Sequence, residues 1–216
     1  KALFFGSIGS IVETSDLQRK SFNQAFIKSD LNWYWTKKEY KKLLNKSGGE
    51  DRVSRYAKQS NIRVNAKKIR SLKTKIFNNY LKKKELKLRP GVKDLINFCI
   101  KNKIKLGFVS STSLNNINSI FYCLRRSIKK NYFNFIGNSN LVKKNKPNPD
   151  IYLFALKKLK LKPKECIAIE DSQESLDAAF KAKIKCLIFP GKFHSGKKFL
   201  RAYKKVFNLN IKIMRK

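Results

Sequence analysis

Apolar positions follow two different rhythms along this chain. From about Ser15 to Lys84 they fall near helical spacing, as with Leu17, Phe22 and Phe26 and again with Ile69, Leu72, Ile76, Phe77 and Tyr80. That stretch is expected to be helical, with a break at Ser47-Gly48-Gly49. Before it, Ala2–Phe5 is a short apolar run that stops at Gly6, Ser7 and Gly9, the pattern of a strand followed by a tight loop. After a turn at Arg89-Pro90-Gly91 the rhythm changes. Strands are predicted at Ile104–Val109, Phe133–Ile136, Ile167–Glu170 and Ile184–Phe189, and helices at Leu114–Leu124, Pro149–Leu159 and Ser172–Ala182. Strands that alternate with helices of this length predict an α/β fold with a doubly wound parallel sheet. The helical block reads as an insertion after the first strand. The expected organisation is a core from residues 1–14 and 86–190, a helical cap from 15–85, and a basic C-terminal tail from 191–216. The tail fits no strand or cap pattern well and is expected to be partly helical around Phe199–Val206.

Charge changes this picture more than any other feature of the composition. The 216 residues hold 51 Lys+Arg against 14 Asp+Glu, a net charge of +37. Residues 95–149 and 178–216 contain no acidic residue at all. A field of this sign attracts polyanions, nucleic acid first and anionic membrane second. No stretch reaches 18 apolar residues, so no transmembrane helix is expected. Cys99, Cys123, Cys166 and Cys186 form no C-x-x-C pair and are expected as buried free thiols. With His194 as the single histidine, no zinc site is expected.

Several ordered motifs resemble the haloacid dehalogenase superfamily, in its β-phosphoglucomutase and CbbY-like branch. Lys146-Pro147-Asn148-Pro149-Asp150-Ile151-Tyr152 looks like its K-P-x-P-D-x-Y segment, and Ile169-Glu170-Asp171-Ser172 like its acidic strand-end motif. Leu88-Arg89-Pro90-Gly91-Val92 looks like the return from cap to core, and Val109-Ser110-Ser111-Thr112-Ser113 like the hydroxyl motif after the second core strand. Trp33, Trp35 and Gly48-Gly49 with Arg52 resemble the CbbY-like cap. The resemblance covers residues 1 to about 190 and implies a Rossmann-like core with an inserted helical cap. In that family the first strand ends in D-x-D-G-T. The first Asp attacks the phosphoryl group, the second handles the leaving-group proton, and Mg²⁺ offsets the charge. Here Gly6 stands at the nucleophile position and Ile8 at the acid/base position. Gln18 stands at the cap position that is usually His.

What the resemblance leaves is a shell around a missing centre. Ser110 and Lys146 match phosphate-holding positions, Glu170 and Asp171 metal-side positions, and Arg52 and Lys73-Thr74 substrate-side cap positions. With both catalytic aspartates replaced, the expectation is a non-enzyme with no cofactor, no metal and no small-molecule substrate. Ile8 is expected to be packed away. The charge then suggests a structural role in a ribosome. The RNA-binding candidates are Lys82, Lys83 and Lys84; Arg125, Arg126, Lys129 and Lys130; Lys143 and Lys144; and Lys197, Lys198, Arg201, Lys204 and Lys205. Ribosomal RNA and neighbouring ribosomal proteins are the expected partners, bound through phosphates and RNA shape. An organelle is the expected location, with mitochondrion favoured over plastid and a cytosolic ribosome as a further possibility. Two alternatives stand beside this reading. One is a sugar-phosphate phosphatase or phosphoglucomutase with an aberrant first motif. The other is a non-ribosomal scaffold subunit of an organellar complex.

Overall fold

The computed structural model describes residues 1–45, 48–82 and 85–214. The chain forms two compact units, one from Lys1–Glu13 with Glu85–Lys216 and one from Thr14–Lys84. The first unit is built on a six-stranded, wholly parallel sheet. Its strands are β1 (Ala2–Phe5), β2 (Lys105–Val109), β3 (Phe135–Gly137), β4 (Cys166–Glu170), β5 (Lys185–Ile188) and β6 (Lys204–Lys205), in the order β3-β2-β1-β4-β5-β6. β1 lies centrally, pairing Leu3 with Leu106 on one side and with Ile167 on the other. All four of its residues are buried, as a strand covered on both faces requires. The sequence crosses from one half of the sheet to the other between β3 and β4. The crevice at the carboxyl ends of β1 and β4 is therefore a topological switch point, where open α/β sheets place their ligands.

Local chemistry sets the connections. Gly6 is followed by a one-turn helix, α1 (Ile8–Ile11), rather than a plain loop. Ser7 starts it by accepting from the Ser10 amide at 3.2 Å, while Ser10 Oγ accepts from the Ser7 amide at 3.4 Å. Ile8 is the first residue of this helix and only partly buried, which corrects the expectation that it packs away. The turn at Arg89-Pro90-Gly91 holds Gly91 at φ 77°, with the Leu209 carbonyl where a Cβ would sit, so only glycine fits. The helices of this unit after the turn are α6 (Val92–Lys101), α7 (Leu114–Cys123), α8 (Asp150–Leu159) and α9 (Gln173–Lys181). α6 was not foreseen. Ser113 caps α7 by accepting from the Asn116 amide, so Ser110 is left free of that duty.

The stretch from 191 onward is not a separate tail. It belongs to the sheet unit, adds β6 to the edge beside β5, and buries Leu209 against the Gly91 turn. Phe199–Val206 contains no helix. The Tyr203 amide donates to the Cys186 carbonyl and the Val206 amide to the Ile188 carbonyl, so the backbone satisfies β5 instead. All four cysteines are free and buried.

The second unit is helical: α2 (Ser15–Ile27), α3 (Lys37–Leu43), α4 (Gly49–Gln59) and α5 (Ala66–Lys82). Its core is aromatic. Trp35 packs against Phe22 and Phe26 at ring-centroid distances of 4.9 and 4.7 Å, and Trp33 against Tyr56 at 5.0 Å. Arg19 and Asn23 are buried because both donate to the Trp35 carbonyl.

Candidate functional site

The carboxyl ends of β1, β2 and β4 gather five of the residues singled out from sequence. Gly6 extends β1 and donates its amide to the Ile169 carbonyl at 2.9 Å. Ser110 directly follows β2 and is 4% exposed, its hydroxyl accepting from the Thr112 amide at 3.1 Å. Glu170 ends β4, fully buried, and Asp171 follows it. Lys146 comes from the loop before α8. Its ammonium donates to the Val109 carbonyl at 2.8 Å, to the Gly6 carbonyl at 2.5 Å and to Glu170 Oε1 at 2.5 Å. The Lys146 amide reaches Ser111 Oγ at 3.3 Å.

Tyr152 completes this arrangement, and its role was not legible beforehand. Its hydroxyl donates to Glu170 Oε1 at 2.5 Å, and its ring lies 4.7 Å from the Lys146 ammonium. The signal was present in the last letter of the K-P-x-P-D-x-Y segment. Burial pushes the Glu170 carboxyl above the usual range against the pull of the Lys146 charge. Burial, reinforced by Glu170, pushes the Tyr152 phenol up as well. Glu170 Oε2 is buried with no hydrogen-bond partner.

The geometry shows what occupies the space beside Gly6. A Cβ on Gly6 would lie 2.0 Å from Glu170 Oε1 and 2.3 Å from the Tyr152 hydroxyl. The space beside β1 is filled by the Lys146–Glu170–Tyr152 group. Asp171 closes in similarly on Gly9, where an added Cβ would lie 1.7 Å from its Oδ2.

Mg²⁺, which the family resemblance implies, would meet only two carboxylates here, Glu170 and Asp171, the first of them already engaged by an ammonium and a phenol. Among the described residues no group of three or more His, Cys, Asp or Glu side chains could hold a metal ion.

The helical unit holds the remaining candidates separately. Lys73 is buried, donates to Gln18 Oε1, and lies 5.1 and 5.0 Å from the Phe22 and Phe77 rings. Arg52 is buried, donating to the Leu43 carbonyl at 3.1 Å. Thr74 turns its hydroxyl onto the Arg70 carbonyl of its own helix. Burial first, then the charges of Arg52 and Arg70, lower the Lys73 pKa from 10.5 to about 7. Between those two values the unfolded chain carries the proton that the folded chain releases, so this group makes stability rise with pH across that window. Lys73→Met is therefore expected to stabilise the protein below pH 7, with the gain shrinking as pH approaches 10. Urea melts at several pH values check this, and a gain independent of pH would reject it.

Comparison with known proteins decides the family. The model of the haloacid dehalogenase-like hydrolase family matches residues 9–189. The chain belongs to that family. The match takes in Ser110, Lys146, Glu170 and Asp171 and begins just past Gly6 and Ile8. Protein CbbY of Cereibacter sphaeroides is 31% identical over 205 residues, covering 94% of this chain and 89% of the relative. A phosphorylated carbohydrates phosphatase of Thermotoga maritima is 32% identical over 139 residues, 63% of this chain and 60% of its own length. Crystal structures of CbbY from Rhodobacter sphaeroides match with TM-scores of 0.85 and 0.84, at 30% identity over 95% of this chain and 92% of theirs. One is a complex with phosphate; the other, of a mutant, is a complex with xylulose-(1,5)-bisphosphate.

These relatives overturn the reading of this haloacid dehalogenase-like chain as a ribosomal, RNA-binding component with no small-molecule substrate. They fit the phosphatase alternative better: one relative is a phosphorylated carbohydrates phosphatase, and CbbY has been solved with phosphate and with a sugar bisphosphate. The basic candidates also have local uses. Lys130 donates to Asn118 at 2.7 Å, Arg125 to the Tyr122 carbonyl at 2.7 Å, and Lys205 to the Ser195 and Lys197 carbonyls at 2.8 and 3.0 Å. Lys82 sits in the last turn of α5, where a cation suits the helix dipole. Arg201 covers the Phe180 ring at 5.1 Å. Arg126, Lys129, Lys143, Lys144, Lys198 and Lys204 are exposed. Lys83 and Lys84, like Ser47 of the expected helix break, lie outside the described residues.

Proposed function

We propose that this chain binds a phosphorylated small molecule of the sugar-phosphate class at the carboxyl end of its sheet, without forming an aspartyl phosphate. The carrying observation is Lys146. It is 5% exposed in its side chain and held between the ends of β1, β2 and β4, beside Ser110. An ammonium fixed at a switch point is suited to a phosphate monoester. CbbY, similar over nearly the whole chain, is known with phosphate and a sugar bisphosphate bound. Gly6 and Ile8 supply neither nucleophile nor proton carrier, so the phosphoryl group is held and not transferred to the chain. The bound phosphate competes with Glu170 for Lys146.

Titration calorimetry with inorganic phosphate and xylulose-1,5-bisphosphate, run beside a phosphate-release assay, tests both halves. Saturable binding without release is expected. Ser110→Ala, which leaves the Lys146–Glu170 pair intact, should weaken binding about five- to tenfold, the loss of one hydrogen bond. No saturable binding of either ligand would overturn the reading. Release that disappears in Ser110→Ala would show a working phosphatase with an altered first motif.

A further inference from the structure

A cavity lies at the opposite end of the sheet from Lys146, near the starts of β1, β4 and β5. It encloses about 510 Å³ and is lined by Ala2, Cys166 and Lys185 from those starts and by the chain after β6. Strands of four or five residues put it roughly 15 Å from Lys146. The size falls within the range of small-molecule pockets, roughly 300–1,000 Å³.

The lining has two kinds of chemistry. Lys164, Lys185, Lys204 and Lys212 stand at the cavity, all exposed, and among the described residues no carboxylate pairs with any of them. The one acidic residue there, Glu165, is already held by the Lys1 ammonium at 2.6 Å. Four unneutralised cations around one cavity select an anion and reject a cation. The rest of the wall is largely aliphatic: Ile104, Ile167, Leu187, Val206, Ile213 and Met214. A bare ion would leave that surface wet, whereas an alkyl chain would cover it. Tyr203 is the single aromatic ring in the lining, and the Lys185 ammonium already lies 3.6 Å from its centroid. A stacked base is therefore a poorer fit than a chain.

We propose that this cavity is a binding site for a single-chain anionic amphiphile, an aliphatic chain ending in a phosphate or carboxylate. The head lies among Lys185, Lys204 and Lys212, and the chain lies against Ile213 and Met214. The site is separate from the one at Lys146 and does not depend on the function proposed there.

Met214 is the only methionine in the sequence. A sample labelled with ¹³C at the methionine methyl therefore gives one resonance that reports on the cavity itself. Dodecyl phosphate, titrated below its micelle concentration, is expected to shift that resonance saturably. Lys185→Gln, Lys204→Gln and Lys212→Gln combined, all at exposed positions, should weaken the effect by at least about tenfold, as loss of charge-assisted bonds predicts. Dodecyltrimethylammonium and inorganic phosphate should leave the resonance in place. An equal shift by the cationic amphiphile, or by phosphate alone, would overturn the proposal. So would a shift seen with phosphatidylglycerol vesicles and absent with dodecyl phosphate, which would assign the lysines to a bilayer surface instead.

Discussion

Lys146→Met is expected to destabilise the protein by about 3–5 kcal/mol, the usual cost of leaving one partner of a buried ion pair alone. Lys146 and Glu170 are 5% and 0% exposed in their side chains, so water cannot replace the lost ammonium. Glu170 would keep only the Tyr152 hydroxyl, with its second oxygen already lacking a partner. The double variant Lys146→Met, Glu170→Gln should recover most of the loss, because it removes the charge along with its partner. The deficit of the single variant should also depend on pH. Burial already raises the Glu170 carboxyl, and removing Lys146 raises it further. Its unfolded counterpart ionises first, so stability falls as pH rises above the ordinary carboxylate range. The deficit should therefore be larger at pH 8 than at pH 5.5. Both tryptophans belong to the helical unit, so far-UV circular dichroism is the signal to follow rather than tryptophan fluorescence. A single variant as stable as the parent would show that the pair does not hold the site together.

Gly6→Asp is the second substitution with a large expected effect. The new side chain meets Glu170 Oε1 and the Tyr152 hydroxyl inside any allowed contact distance. Overpacking alone costs about 1–3 kcal/mol. The added carboxylate also joins Glu170 at the Lys146 ammonium, with the like charge of Asp171 already acting on Glu170. A loss of about 3 kcal/mol is expected in metal-free buffer, near the upper end of that overpacking range. The same crowding predicts a rescue. With Ile8→Asp added, the site offers enough oxygens for a hard divalent cation. Millimolar MgCl₂ should raise the melting temperature of the double variant and leave that of the parent unchanged. An equal rise in the parent would show that Glu170 and Asp171 suffice to hold the ion.

The fold was legible because its signals are local and repeated. β1 is an uninterrupted apolar run, and the later strands and helices alternate with clear turn residues between them. The motif shell was legible for the same reason: Ser110, Lys146, Glu170 and Asp171 each sit at a strand end or the loop before a helix. What filled the gap at Gly6 was not legible. It depends on Tyr152, the third residue of α8, reaching a carboxylate on β4; the motif includes the tyrosine, but no spacing in the chain announces that contact. The segment after residue 190 was misread because its backbone satisfies β5 with few side-chain signals of its own. The charge misled in another way. It is a property of the whole surface, and the structure gives several of the same lysines and arginines local hydrogen bonds that composition cannot distinguish from contacts with a partner.

The short final strand has a bearing on how copies of this chain behave at high concentration. A parallel sheet must end somewhere, and an open end offers unpaired backbone to any other strand. Here one end is the three-residue β3 and the other is β6, two residues long and both of them lysines, Lys204 and Lys205. Another copy approaching edge to edge would have to bring its own pair of ammonium groups against these. The strand is also too brief to template a ladder. A chain cut after Pro190 would instead present β5, with Leu187 and Ile188, as the new rim. Such a truncation is expected to self-associate through the bared strand, and light scattering that rises no faster with concentration than for the uncut chain would refute this.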